Sequence, residues 1–303
     1  MEEMNYARSE QEKSDFEKTA MKVSYVSIAI NIVLSIFKLI AGIAAHSGAM
    51  VSDAVHSASD VFSTLVVMIG IKLAGKESDK EHPYGHERME CVAAILLATI
   101  LGLTGLFIGR TAIVDITSGD YNDVLAPGIL ALVAAIVSIV VKEAMFWYTR
   151  VNAKRIDSSA LMADAWHHRS DALSSIGALV GIWFARNGYP IMDSIASLII
   201  CFLIIKAAVD IYRDAINKMV DRACDEEVEN QLREVVLAQN GVLGIDVLNT
   251  RMFGNKIYVD LEICADGEKK LKETHAIAEN VHDVIEQEFP KVKHIMVHVN
   301  PKL

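Results

Sequence analysis

Two pairs of side chains, His56 with Asp60 and His167 with Asp171, stand four residues apart inside the segments SDAVHSASD (Ser52 to Asp60) and ADAWHHRSD (Ala163 to Asp171). On a helix that spacing puts both members on one face, with Cβ atoms about 5–6 Å apart. Each helix then presents one imidazole and one carboxylate, and two such helices offer two nitrogens and two oxygens. That set suits a tetrahedral site for a borderline divalent cation. Zinc accepts the mixture, cadmium and cobalt nearly as well, and iron(II) stays open as an alternative, whereas the harder manganese ion favours more oxygen. The two segments also match in register at Asp53 with Asp164 and at Ser59 with Ser170. Asp53 and Asp164, three residues before each histidine, either orient an imidazole or solvate the cavity around it.

Both segments lie in apolar surroundings, which makes their charges costly. Hydrophobic residues form 52% of the 303, and long uncharged runs punctuate the first two thirds of the chain. Windows of about 20 apolar residues match the thickness of a bilayer core. Six such windows fall near residues 22–45, 49–74, 89–114, 124–147, 159–185 and 190–212. Their hydrophobicity is continuous rather than alternating, so each must close its backbone hydrogen bonds internally as an α-helix. An ionisable group in mid-bilayer costs about 2.5–3.5 kcal/mol on the lenient insertion scale. The second and fifth windows hold several, and a bound cation or a water-filled path must offset them.

The sequence predicts an α-helical membrane protein: a cytoplasmic segment over 1–21, a six-helix transmembrane domain over 22–212, and a cytoplasmic domain over 213–303. Residues 1–21 have no apolar core of their own, so no cleavable signal is expected. Basic residues from Lys13 to Lys22, from Lys72 to Arg88 and from Arg150 to Arg155 share one side, which places both termini in the cytoplasm. Lys38, deep in the first window, faces the bundle or a partner subunit; Arg110 snorkels. Beyond Tyr212 the pattern reads helix over 226–238, strands over 242–251 and 256–264 joined at Gly254-Asn255, helix over 269–289 and strand over 293–299. The order αββαβ gives a small α+β sandwich.

Several function classes fall away. A net charge of −10 and basic residues accounted for by topology argue against nucleic acid. Cys91, Cys201, Cys224 and Cys264 show no C-x-x-C spacing, so neither a disulfide framework nor a thiolate zinc knuckle is expected. No G-x-x-x-x-G-K-[ST] loop occurs, and no organic cofactor is called for. A zinc enzyme keeps an open position for water beside three protein ligands, so four ligands on two helices favour binding over chemistry. No catalytic residue is assigned. A signalling receptor is less fitting, because the C-terminal domain carries no enzymatic motif.

Six spans, the doubled H-x-x-x-D and a small α+β tail together resemble the cation diffusion facilitator family of metal-ion/proton antiporters. The likeness covers nearly the whole chain after residue 20 and is most specific in SDAVHSASD, ADAWHHRSD and DKEHPYGHERME (Asp79 to Glu90). It implies a homodimer in the cell membrane, in contact with lipid, that exports zinc or a related cation in exchange for protons. Since ligands must be deprotonated, metal binding and proton release are linked. In some members the loop corresponding to Asp79, His82 and His86 forms a second metal site. HERME itself is no metalloprotease helix, because Glu90 stands where the second His is required. The family's cytoplasmic domain dimerises and binds regulatory metal, which the resemblance carries onto Asp246, Asp260, His275 and His298. The first two positions are His in several members, and Asn300 stands where a carboxylate is common.

Overall fold

The computed structural model describes residues 2–44, 48–119, 129–186 and 191–302. Six long helices come first: α1 (Glu2–Ala44), α2 (Gly48–Ala74), α3 (Met89–Ser118), α4 (Ile129–Ile156), α5 (Ser159–Arg186) and α6 (Ile191–Met219). Then follow α7 (Glu226–Leu237), β1 (Gly244–Phe253), β2 (Lys256–Asp266), α8 (Leu271–Glu288) and β3 (Val292–Lys302). The chain divides into two compact units: residues 17–76 with 89–215, and residues 1–16 with 77–88 and 216–303.

Helix α1 begins well before the first apolar window because nothing from Glu2 to Ala41 is a glycine or proline. Between α4 and α5 only Asp157 and Ser158 intervene. Asp157 takes a left-handed conformation at φ 55°, which a short polar side chain tolerates. The Ser158 hydroxyl accepts the Leu161 N–H at 3.2 Å and caps α5. Glycines let helices approach closely elsewhere: a Cβ on Gly70 of α2 would meet Ala93 of α3 at 2.3 Å, and one on Gly109 of α3 would meet the Cys201 sulfur of α6 at 2.5 Å.

Polarity in the helical unit is inverted. Phe62, Phe107, Phe202 and Val140 are exposed, while Asn31, Lys38, Asp60, Lys142, Asp164 and His168 are buried. An apolar exterior around a charged interior is what a hydrocarbon solvent selects. Among the described residues, Asp15–Ala41 and Met89–Ser118 are long and apolar enough by themselves to cross a membrane. Lys38 turns inward, as one of its two readings has it, and donates to the Ser57 hydroxyl of α2 at 2.8 Å. Arg110 is exposed.

In the C-terminal domain the sheet order is β1-β2-β3, antiparallel then parallel. Phe253 pairs with Lys256, so β1 and β2 join through two residues, with Gly254 at φ 63°. Val259, Leu261 and Ile263 of β2 bury against Leu232 and Val236 of α7 and Val281 and Ile285 of α8. Strand alternation turns Asp260 to the opposite, open face. The αββαβ order agrees with the sequence reading, with strands extending a few residues beyond it.

Candidate metal centre

Asp60 on α2 and His167 and Asp171 on α5 bring ligand atoms within 4.8 Å of one another. His167 Nε2 lies 3.3 Å from Asp60 Oδ1. His56 lies one turn before Asp60 on α2, but its side chain, like that of Asp53, is outside the described residues. The i,i+4 spacing therefore places its two α5 residues on one face, and that face meets α2 at Asp60.

A fourth residue enters from α4. Lys142, 2% exposed, donates to Asp60 Oδ2 and, at 2.9 Å, to Asp171 Oδ2. The register of α4 against α5 is fixed beside it: Arg169 lies 3.6 Å from Glu143 and stacks over the Phe146 ring at 4.4 Å, with Trp147 and Trp166 each 5.9 Å away. Sequence reasoning passed over Lys142, although an ionisable pair, Lys142-Glu143, inside an apolar span is itself a signal.

Asp164 serves a different neighbour from His167. Its Oδ1 accepts the Thr64 hydroxyl at 3.2 Å, and its Oδ2 lies 3.5 Å from His168 Nε2, both residues being fully buried. It thus stands behind His168 rather than behind His167.

The loop between α2 and α3 forms a second cluster of metal-type ligands, from Asp79, His82 and His86. Asp79 Oδ1 accepts the Glu81 and His82 N–H groups at 3.0 and 2.8 Å, which folds the loop back on itself. Its carboxylate lies 3.5 Å from His82 Nδ1 and 3.6 Å from His86 Nε2, and the two rings are 4.5 Å apart. His86 is nearly buried, with Nδ1 at 3.1 Å from the Glu77 carbonyl, and His82 is open to solvent. Gly85, at φ 97°, makes the turn that returns His86 toward Asp79.

The candidates in the C-terminal domain do not gather in the same way. Among the described residues Asp246, Asp260, His275 and His298 form no such cluster. His275 sits exposed on α8, 3.2 Å from Glu279, in the helix layer, whereas Asp260 faces away from that layer. Asp246 falls at the irregularity between Ile245 and Val247 and meets other partners. The Cys264 thiol donates to its Oδ1 at 2.9 Å, and Asn300 donates to its Oδ2 at 2.8 Å and to Glu262 at 3.1 Å. Those bonds, from Cys264 first and Asn300 second, hold the Asp246 carboxyl below its ordinary range. The same Asp246 bond, with some burial, pushes the Cys264 thiol up.

Comparison with known proteins agrees with this layout. Residues 24–220 match the cation efflux transmembrane domain, and residues 224–302 match the cation efflux protein cytoplasmic domain. An uncharacterized transporter of Methanocaldococcus jannaschii is 35% identical across 91% of this chain and 96% of its own. The magnetosome protein MamB of Magnetospira sp. is 31% identical across 92% and 94%, and the manganese efflux system protein MneP of Bacillus subtilis 28% identical across 95% and 98%. With both domains matched in order, the chain belongs to the cation efflux family, the cation diffusion facilitators, and is an integral membrane transporter of metal cations rather than an enzyme.

Proposed function

We propose that the chain exports a divalent cation, zinc foremost, from the cytoplasm in exchange for protons, using His56, Asp60, His167 and Asp171 as the transport site. The observation that carries this reading is the convergence of Asp60, His167 and Asp171 within 4.8 Å in a buried setting. Two imidazoles and two carboxylates match a tetrahedral zinc site. Each must be deprotonated to hold metal, so protons arriving on the far side displace the ion and an inward proton gradient drives export.

The domain plan that goes with it is a cytoplasmic segment over 1–21, six spans over 22–212 and a cytoplasmic dimerising domain over 213–303, with both termini inside and the cell membrane as location. Asp79, His82 and His86 take a second ion at the loop. Asp246, Asp260, His275 and His298 are candidates for regulatory metal. Metal there biases the transport equilibrium by its differential affinity for the two states.

The test is zinc uptake into proteoliposomes under an imposed pH gradient. Parent protein should accumulate zinc only with the gradient, and Asp60→Ala and Asp171→Ala should not. Uptake indifferent to both variants would remove the transport site from this motif. Manganese is the second reading, favoured by the 28% identity to a manganese efflux protein along 98% of that relative. Competition between the two ions in the same vesicles decides between them.

A further inference from the structure

The carboxylates proposed to carry the transported ion already hold a cation supplied by the protein. Lys142 reaches from α4, which bears none of the four proposed ligands, and its ammonium bonds Asp60 Oδ2 and Asp171 Oδ2, the latter at 2.9 Å. Lys142 and Asp60 are each 2% exposed. We propose that Lys142 is a tethered competitor: it occupies the transport site when metal is absent and is displaced by the incoming divalent ion. This rests on the reading of Asp60 and Asp171 as the transport ligands.

The geometry makes the two cations mutually exclusive. A zinc ion bound to both carboxylates at about 2.0–2.2 Å would draw on the same two side chains that the ammonium now bridges. A monovalent and a divalent cation cannot share that gap, because their repulsion in a weakly screened interior is large. The ammonium moves on a flexible four-carbon stem.

Two carboxylates on separate helices need a positive charge between them when no metal is there, and Lys142 supplies it without solute. The arrangement also weakens metal binding in a calculable way. If the ammonium leaves the site about one part in 100 of the time, the apparent affinity is about 100-fold below that of the vacant ligand set. A carrier gains from this, since an ion held by four uncontested ligands would be slow to leave.

The experiment is zinc titration calorimetry on the purified full-length protein in detergent, with Asp171→Ala used to identify the heat that belongs to the transport site rather than to the loop or the C-terminal domain. Lys142→Met should tighten the Asp171-dependent Kd by about tenfold or more and slow zinc export in proteoliposomes. Lys142→Arg, which keeps the charge, should bind zinc no more tightly than the parent. A folded Lys142→Met protein with unchanged or weaker binding overturns the proposal, as does a Lys142→Arg protein that binds about tenfold more tightly. If Lys142→Met does not fold, the arginine variant decides. Should the parent show no Asp171-dependent binding at all, it is the transport-site reading that fails, and this inference falls with it.

Discussion

The Tyr258 hydroxyl of β2 donates a 3.1 Å hydrogen bond to the backbone carbonyl of Tyr84, in the loop that holds Asp79, His82 and His86. Lys293 of β3 donates to the same carbonyl at 2.9 Å and also pairs with Glu87, while Arg88 pairs with Asp221 and stacks over Phe253 at 4.7 Å. The candidate loop site is thus anchored on the sheet of the C-terminal domain by side chains distant in sequence.

Tyr258→Phe removes one donor while Lys293 still serves the Tyr84 carbonyl, so the cost should be about 0.5–1.5 kcal/mol. Hydrogen exchange read by mass spectrometry should quicken over residues 77–88 and stay unchanged at Val259 and Leu261.

The same pair carries a pH signature. Burial first, then the Glu87 charge, pushes the Tyr258 phenol up to about 12. An unfolded tyrosine ionises near ~10, so between those values the folded chain holds the proton longer than the unfolded one. The stabilisation is complete below the unfolded value and is lost as pH rises through the folded one. The Tm advantage of the parent over Tyr258→Phe should therefore shrink across that alkaline window.

Asp60→Asn and Asp171→Asn each remove a charged oxygen from the buried cluster and leave Lys142 with one carboxylate. Metal flux in proteoliposomes should fall by more than the ~10–100-fold that loss of a supporting residue behind a metal ligand costs.

Asp79→Ala removes a proposed ligand and the acceptor for two backbone N–H groups. The loop should lose about 1 kcal/mol of local stability per hydrogen bond, and equilibrium dialysis should find fewer metal ions bound per chain. Transport through Asp60 and Asp171 should persist.

Cys264 offers a chemical readout. Since Asp246 pushes its thiol up, Asp246→Asn should lower the thiol toward its ordinary range and raise the thiolate fraction. Alkylation by iodoacetamide, followed on the Cys264 peptide at mildly alkaline pH, should speed up several-fold, roughly tenfold for each unit of pKa recovered.

The meeting of Asp60, His167 and Asp171 was legible because the H-x-x-x-D pairs repeat in register, and the loop cluster because its three residues lie within a few positions of each other. Lys142 left no such trace: it belongs to no repeat and no motif, and its meaning lies in which helices α4 packs against. The polar stretch before the first span becomes part of one continuous helix because no residue interrupts it. In the C-terminal domain Asp260 and His298, carried over by the resemblance, both fall on the open sheet face. Alternation could not show the irregularity after Ile245 that brings Asp246 to Cys264 and Asn300. Matching side chains to a family pattern also says nothing of layers, and His275 belongs to the helix layer.

The β1–β2 turn has a practical consequence for anyone labelling this protein. Hairpin tips are usual places for grafted tags, since insertions there disturb little. Here a Cβ on Gly254 would come within 2.8 Å of the Glu87 carbonyl oxygen, at a backbone φ that side chains already avoid. A fluorophore or epitope at this tip would pry the loop of Asp79, His82 and His86 from the sheet and report on its own damage. The exposed turn from Gly267 to Lys269 is the silent place for a probe.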